Sequence, residues 1–163
     1  MFKRYFLLLA LFVASCGFHP LYGNNDEVMT DAQAIQIEPI SGEDGYQFGL
    51  VLKNRLNPYK DQVSKKYRLT VLLEKPVYKD ESMRSDNFAS IKQMSLTAEY
   101  TLVEIKTNKK LISASVDSRG IFNLIRDPYA TVVSEDKLHE NLIRTMAEDV
   151  AMHVLAYFKG VRP

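Results

Sequence analysis

The longest alternation of apolar and polar positions in the chain runs from Gln93 to Leu102. Met94, Leu96, Ala98, Tyr100 and Leu102 fall on one side; Gln93, Ser95, Thr97, Glu99 and Thr101 fall on the other. A period of two with one apolar side describes a strand that covers a core and leaves its other face wet. Thr107 to Lys110, "TNKK", reads as a hairpin turn. Its partner strand covers Leu111 to Phe122, with Ile112, Ala114 and Val116 in phase and Ser113, Ser115 and Asp117 opposite. Gly120 marks a bend or bulge within it. An earlier strand spans Tyr67 to Glu74. Tyr67, Leu69, Val71 and Leu73 alternate with Arg68, Thr70 and Glu74, and Leu72 breaks the polar set. Pro76 interrupts this strand, and Lys79 to Asn87, "KDESMRSDN", is expected to be a polar loop. A short strand, Ala34 to Ile40, comes first, and Pro39 ends it or places it at a sheet edge.

Two segments carry the helical period. After the turn Ser41 to Gly45, the stretch Tyr46 to Leu56 places Phe48, Leu52 and Leu56 on one stripe, and Asn57-Pro58 stops it. A longer helix is expected from an N-cap at Ser134, with Glu135 and Asp136 where the helix dipole favours acids. Its apolar stripe passes through Leu138, Leu142, Met146, Val150, Val154 and Phe158, and Gly160 ends it. The order β-α-β-β-β-α predicts an α+β fold: a four-stranded mixed sheet with two helices packed on one face and a polar outer face. The first β-α-β unit is expected to be right-handed. Residues 34–160 form one domain, and no internal repeat is present.

The beginning of the chain has a different logic. Lys3 and Arg4 precede the apolar run Tyr5 to Val13, and small residues follow. Residues 1–15 therefore read as a signal peptide, since the apolar run falls short of the about 20 residues that span a bilayer. Val13-Ala14-Ser15-Cys16 is similar to a bacterial lipobox, where the cysteine thiol is acylated and becomes the new N-terminus. Each buried methylene of an acyl chain contributes about 0.8 kcal/mol, so two or three chains on one residue hold durably. Cys16 is the only cysteine, and the alternative is an incidental residue of a removed leader. Removal of 1–15 takes Lys3 and Arg4 from the 21 basic residues and leaves 19 against 20 acidic ones, a formal charge of −1. That balance argues against a nucleic-acid binder. Residues 16–33 are a lead-in. Gly17, Phe18, His19, Pro20, Leu21, Tyr22 and Gly23 are too aromatic for a plain tether and look built to dock.

Chemistry is sparse. His139 and His153 lie fourteen positions apart on one expected helix, too far to share a metal, and His19 stands in the lead-in. There is no nucleophile elbow and no glycine-rich phosphate loop. No enzyme activity, cofactor or metal site is expected. The basic residues Lys75, Lys79, Arg84, Lys92, Lys106, Lys109 and Lys110 gather near turns. They form either a solvated rim that blunts sheet edges or a site for an anionic head group.

The run Cys16 to Gly23, "CGFHPLYG", resembles the lipidation signature of the lipopolysaccharide-assembly lipoproteins of the LptE family, in its alphaproteobacterial form. The element order and length agree with that family at the level of fold. The resemblance implies an outer-membrane lipoprotein facing the periplasm. It would plug the lumen of an LptD-like β-barrel, assist the barrel's assembly and help insert lipopolysaccharide in the outer leaflet, with no covalent chemistry. It implies acylation at Cys16 with Gly17, Phe18, Pro20, Leu21, Tyr22 and Gly23 as docked neighbours. His19 stands where the family pattern leads one to expect Arg. Lys75, Arg84, Lys92, Lys106, Lys109 and Lys110 are candidate lipopolysaccharide contacts by charge and location. The other reading is a periplasm-facing lipoprotein that scaffolds or chaperones another envelope complex.

Overall fold

The computed structural model describes residues 26–57, 63–83, 89–124 and 127–160. Their elements are α1 (Asp26–Gln33), β1 (Ile35–Ile37), α2 (Gly42–Leu56), β2 (Tyr67–Leu73), β3 (Val77–Met83), β4 (Ala89–Glu104), β5 (Lys109–Asn123) and α3 (Pro128–Phe158). The fold is α+β with a mixed sheet, as the hydropathy pattern predicts. β1 pairs β2 in parallel, with α2 as the crossover, and every other pairing is antiparallel.

β4 organises the sheet. One edge of it pairs β5 along almost its whole length. Its other edge is shared: β2 takes the C-terminal half, from Tyr67↔Glu104 to Leu73↔Ala98, and β3 takes the N-terminal half, from Val77↔Ser95 to Met83↔Ala89. Between Leu73 and Val77 three residues stand opposite two on β4, so Glu74-Lys75-Pro76 is a bulge. Proline suits it because no ladder donor is needed there. The extra residue reverses which positions face inward: Leu69, Val71 and Leu73 do so before the bulge, and Tyr78 after it, opposite the buried Met94. A five-strand sheet thus occupies four positions side by side. The stretch expected as a loop from Lys79 is strand as far as Met83; Lys79, Asp80 and Glu81 are consecutive polar residues on both faces, held in strand by pairing to β4, so hydropathy alone gives no signal. Residues 84–87 of that loop fall outside the described residues.

α2 and α3 lie on the apolar face. They run parallel: His139 lies beside Asp44 (3.2 Å) at one end, and Arg55 pairs with Glu148 (2.7 Å) at the other. Such partly exposed pairs contribute about 1 kcal/mol at most. The packing carries the stability. Phe48, Leu52 and Leu56 of α2 and Met146, Val150 and Val154 of α3 meet Leu69, Met94 and Leu102 in one dry core. Burial of each such side chain stabilises by about 1.5–3 kcal/mol.

α3 begins six residues before Ser134. Asp127 is its N-cap, its carboxylate accepting from the Tyr129 amide at 3.0 Å, and Pro128 fills the first helical position. α1 occupies part of the stretch expected as a lead-in; it is a short helix that packs against α2 and α3 and delivers the chain into β1. β1 is an edge strand, which fits Pro39 just beyond it. At Gly120 the register with β4 is unbroken, so no bulge forms; a Cβ there would lie 2.4 Å from Leu138, and the missing side chain lets α3 approach the sheet.

Two glycines in α2 give a test with opposite signs. A Cβ at Gly45 would sit 2.6 Å from the Ile40 carbonyl oxygen, whereas Gly49 has only a side-chain carbon at 4.0 Å. Gly49→Ala is expected to stabilise by up to about 1 kcal/mol through helix propensity. Gly45→Ala is expected to destabilise by about 1–3 kcal/mol despite the same propensity gain, because backbone must move. Urea denaturation of both variants checks the pair; equal shifts in midpoint would refute the close approach.

Candidate interaction surfaces

Cys16, Gly17, Phe18, His19, Pro20, Leu21, Tyr22 and Gly23, together with Arg84, lie outside the described residues. The remaining candidate cations do not converge. Lys75 sits in the bulge. Lys92 lies near the start of β4, opposite Asp80 and Phe122. Lys106 occupies the β4–β5 turn, and Lys109 and Lys110 open β5. From Lys92 to the end of β4 is twelve residues, about 40 Å at strand rise. Lys92 and the hairpin lysines therefore cannot grip one small ligand.

The fold assembles a different basic group, one that linear spacing hides. Tyr67, Glu104 and Lys109 share a row across β2, β4 and β5, and the Lys66 carbonyl accepts from the Ile105 amide at 2.9 Å. The C-terminal end of α3 closes over this row, with the Phe158 ring 4.9 Å from that of Tyr67. Lys65, Lys66, Lys106, Lys109, Lys110 and Lys159 therefore meet at one end of the domain, around Tyr67, Tyr157 and Phe158. Tyr67, Glu104, Lys109, Leu111, Tyr157, Phe158 and Gly160 line an open depression of about 420 Å³ there. Acids among the described residues at this end are Asp31, 3.6 Å from Lys66, and Glu104, which accepts from the Thr107 hydroxyl. Lys65 donates to the Gln33 carbonyl at 2.7 Å. Burial, with the nearby Asp31 and Glu104 charges, pushes the Tyr67 phenol up. Only the pairing of strand starts with a helix end reveals the added lysines; the double lysine just ahead of β2 was the available signal.

The outer sheet face is polar, as the alternation predicts. Gln93, Ser95, Thr97, Glu99 and Thr101 line up beside Ser113, Ser115 and Asp117, and the Thr97 hydroxyl donates to Asp117 at 2.9 Å. Leu72, Val77 and Ile121 interrupt this face and stand more than 60% exposed. At the far end of the domain Tyr129 and Val132 are exposed on the first turns of α3. There the Tyr78 hydroxyl donates to Glu135 at 2.7 Å, and its ring packs edge-on to Phe122.

Among the described residues no three His, Cys, Asp or Glu side chains gather as a metal site would require. The Tyr100 hydroxyl and His153 Nδ1 share a 2.9 Å hydrogen bond between sheet and α3, and burial raises the Tyr100 phenol. His139 Nε2 lies close to Asp44 but outside hydrogen-bonding geometry. Neither arrangement places a nucleophile beside a base in a cleft. No described helix is long and apolar enough to cross a membrane.

No family model matches the chain. An uncharacterized protein of Rickettsia prowazekii, RP188, is 26% identical over 155 residues, which is 94% of this chain and 96% of that protein. Among solved structures, a protein from Caulobacter crescentus CB15 described as a lipoprotein superposes with a TM-score of 0.64 at 14% identity, over 82% of this chain and 97% of that one. Rare lipoprotein B from Shewanella oneidensis gives 0.58 at 12% identity, over 77% and 93%. An uncharacterized lipoprotein B from Nitrosomonas europaea gives 0.59 at 9%, over 78% and 83%. The chain has the fold of these lipoproteins.

The Tyr78–Glu135 contact has a measurable pH signature. The hydrogen bond to Glu135, then burial, pushes the Tyr78 phenol from 10.0 up to about 12. A raised folded value means that the contribution is complete below about pH 10 and is lost as pH rises through about 12. Tyr78→Phe is therefore expected to be less stable than the parent at neutral pH, by under about 1 kcal/mol for a half-exposed pair. The gap should close across that alkaline window when melting temperature is followed against pH. A gap that stays constant would show that the phenol proton is not held by Glu135.

Proposed function

We propose that the chain is a lipid-anchored envelope protein of the LptE type. Cys16 carries the acyl chains, and the domain meets an LptD-like outer-membrane β-barrel from the periplasmic side. In this reading it occupies the barrel lumen, aids the barrel's assembly and assists the passage of lipopolysaccharide to the outer leaflet. The observation that carries it is a conjunction: a lipobox-like run ending at Cys16 stands ahead of a domain with the rare lipoprotein B fold. The two features are independent, because the motif lies outside the described residues. The wet sheet face supports the partner assignment. Barrel interiors are polar, and a plug needs a hydrophilic exterior around a dry core. Threonine, serine and glutamate rows beside β4 supply that exterior without a catalytic group among them.

Mass spectrometry of the N-terminus from membranes is expected to find a chain that begins at Cys16 and carries acyl groups. Cys16→Ala should leave a folded domain that moves from the membrane to the soluble fraction. An unmodified thiol, or an undiminished membrane fraction in the variant, would overturn the anchor. Detergent extraction of the tagged lipoprotein should bring a β-barrel with it. A different envelope complex in that position would favour the scaffold reading instead.

A further inference from the structure

We propose that the lysine-rich end of the domain is a contact surface for anionic lipid head groups, pressed against the bilayer beside the anchor. Its orientation rests on the anchored reading above; its chemistry does not. Lys65, Lys106, Lys109 and Lys110 are exposed, and Lys159 is half-buried at the same end. Lys106, Lys109 and Lys110 make no ion pair among the described residues. Among the described residues this end carries six lysines against Asp31 and Glu104, in a chain whose overall charge is close to neutral. The charge is therefore segregated, not spread.

Three observations select a lipid surface over a small anion. The depression at this end is open, and Glu104 lies on its lining, so an anion seated there would meet a carboxylate. The cations here are all lysines, and Lys106, Lys109 and Lys110 are exposed; a lysine is a mobile point charge suited to a diffuse array of head groups and less suited to bidentate capture of one phosphate. Tyr157, more than a third exposed, stands among them beside Phe158, and amphipathic rings favour the head-group level. The path of the chain agrees. α1 runs into β1 at this end, where Lys65 holds the Gln33 carbonyl. Asp26 lies ten positions after Cys16, about 35 Å at full extension. An anchor at Cys16 thus keeps the lysine end within reach of the surface that the anchor enters.

The test uses the unlipidated chain from residue 16 onward with Cys16→Ser, so its outcome is independent of acylation. Flotation with phosphatidylcholine vesicles containing about one-third phosphatidylglycerol is expected to capture it, and pure phosphatidylcholine vesicles are not. Raising salt should release it. Replacing Lys106, Lys109 and Lys110 with Gln should weaken capture at least tenfold, since each lysine at an anionic surface is worth roughly fivefold. The control variant, Lys75, Lys79 and Lys92 to Gln, has the same net charge as that triple variant and should stay within about twofold of the parent. Melting temperatures within a few degrees would establish that both variants are folded. The proposal falls if phosphatidylglycerol vesicles do not capture the chain, or if both triple variants weaken equally. It also falls if only lipopolysaccharide aggregates capture the chain, which would assign these lysines to cargo. A failure of acylation would appear in the N-terminal mass and leave this result standing.

Discussion

The whole sheet depends on β4 having two usable edges along sixteen residues. A strand that long, about 53 Å at 3.3 Å per residue, offers more ladder than any single neighbour of ordinary length can fill. β5 matches it on one side; β2 and β3 must be laid end to end to match it on the other. α3, at 31 residues or about 46 Å, is the helix of corresponding length. Its stripe covers the apolar side chains that the strand's alternation presents. Everything else is placed relative to this strand and helix. α2 fills the remaining width above β1 and β2, and α1 closes the corner.

That arrangement sorts the surface into parts with different chemistry. The helix-covered face is dry, with no buried charged residue among those described. The opposite face carries hydroxyl, amide and carboxylate groups in rows. One end gathers lysines and aromatic rings, because two strand starts, one hairpin turn and one helix terminus coincide there. The other end exposes Tyr129 and Val132. Each side of the described domain thus presents its own chemistry.

Much of this was legible in the sequence, for reasons that differ by element. The alternation from Met94 to Leu102 and the stripe of α3 are long periodic signals, and both occupy the faces expected. β3 was not legible because Lys79, Asp80, Glu81 and Ser82 form a polar strand held by pairing to β4, an interaction that hydropathy does not record. The start of α3 was misplaced because its first turns are exposed and break the stripe; Asp127-Pro128, a cap followed by a first-turn proline, was the better marker. Sequence alone makes Gly120 a backbone irregularity, whereas its role is room for Leu138. The candidate cations were identified by local density, and density along a chain does not report which strand ends adjoin. Local density therefore groups Lys92 with Lys106, although β4 holds them far apart, and gives no sign that Lys65, Lys66 and Lys159 adjoin Lys106.

The bulge at Glu74-Lys75-Pro76 constrains how this chain can drift. It converts odd inward positions into even ones within a single edge, so its parity, more than its composition, is what the core reads. Loss or gain of one codon between Leu73 and Val77 would turn Tyr78 to solvent and strand its ring away from Phe122. A change of two would restore the phase. Homologues of this fold should therefore differ in that connection by even numbers of residues wherever an aromatic side chain is kept at the inward site.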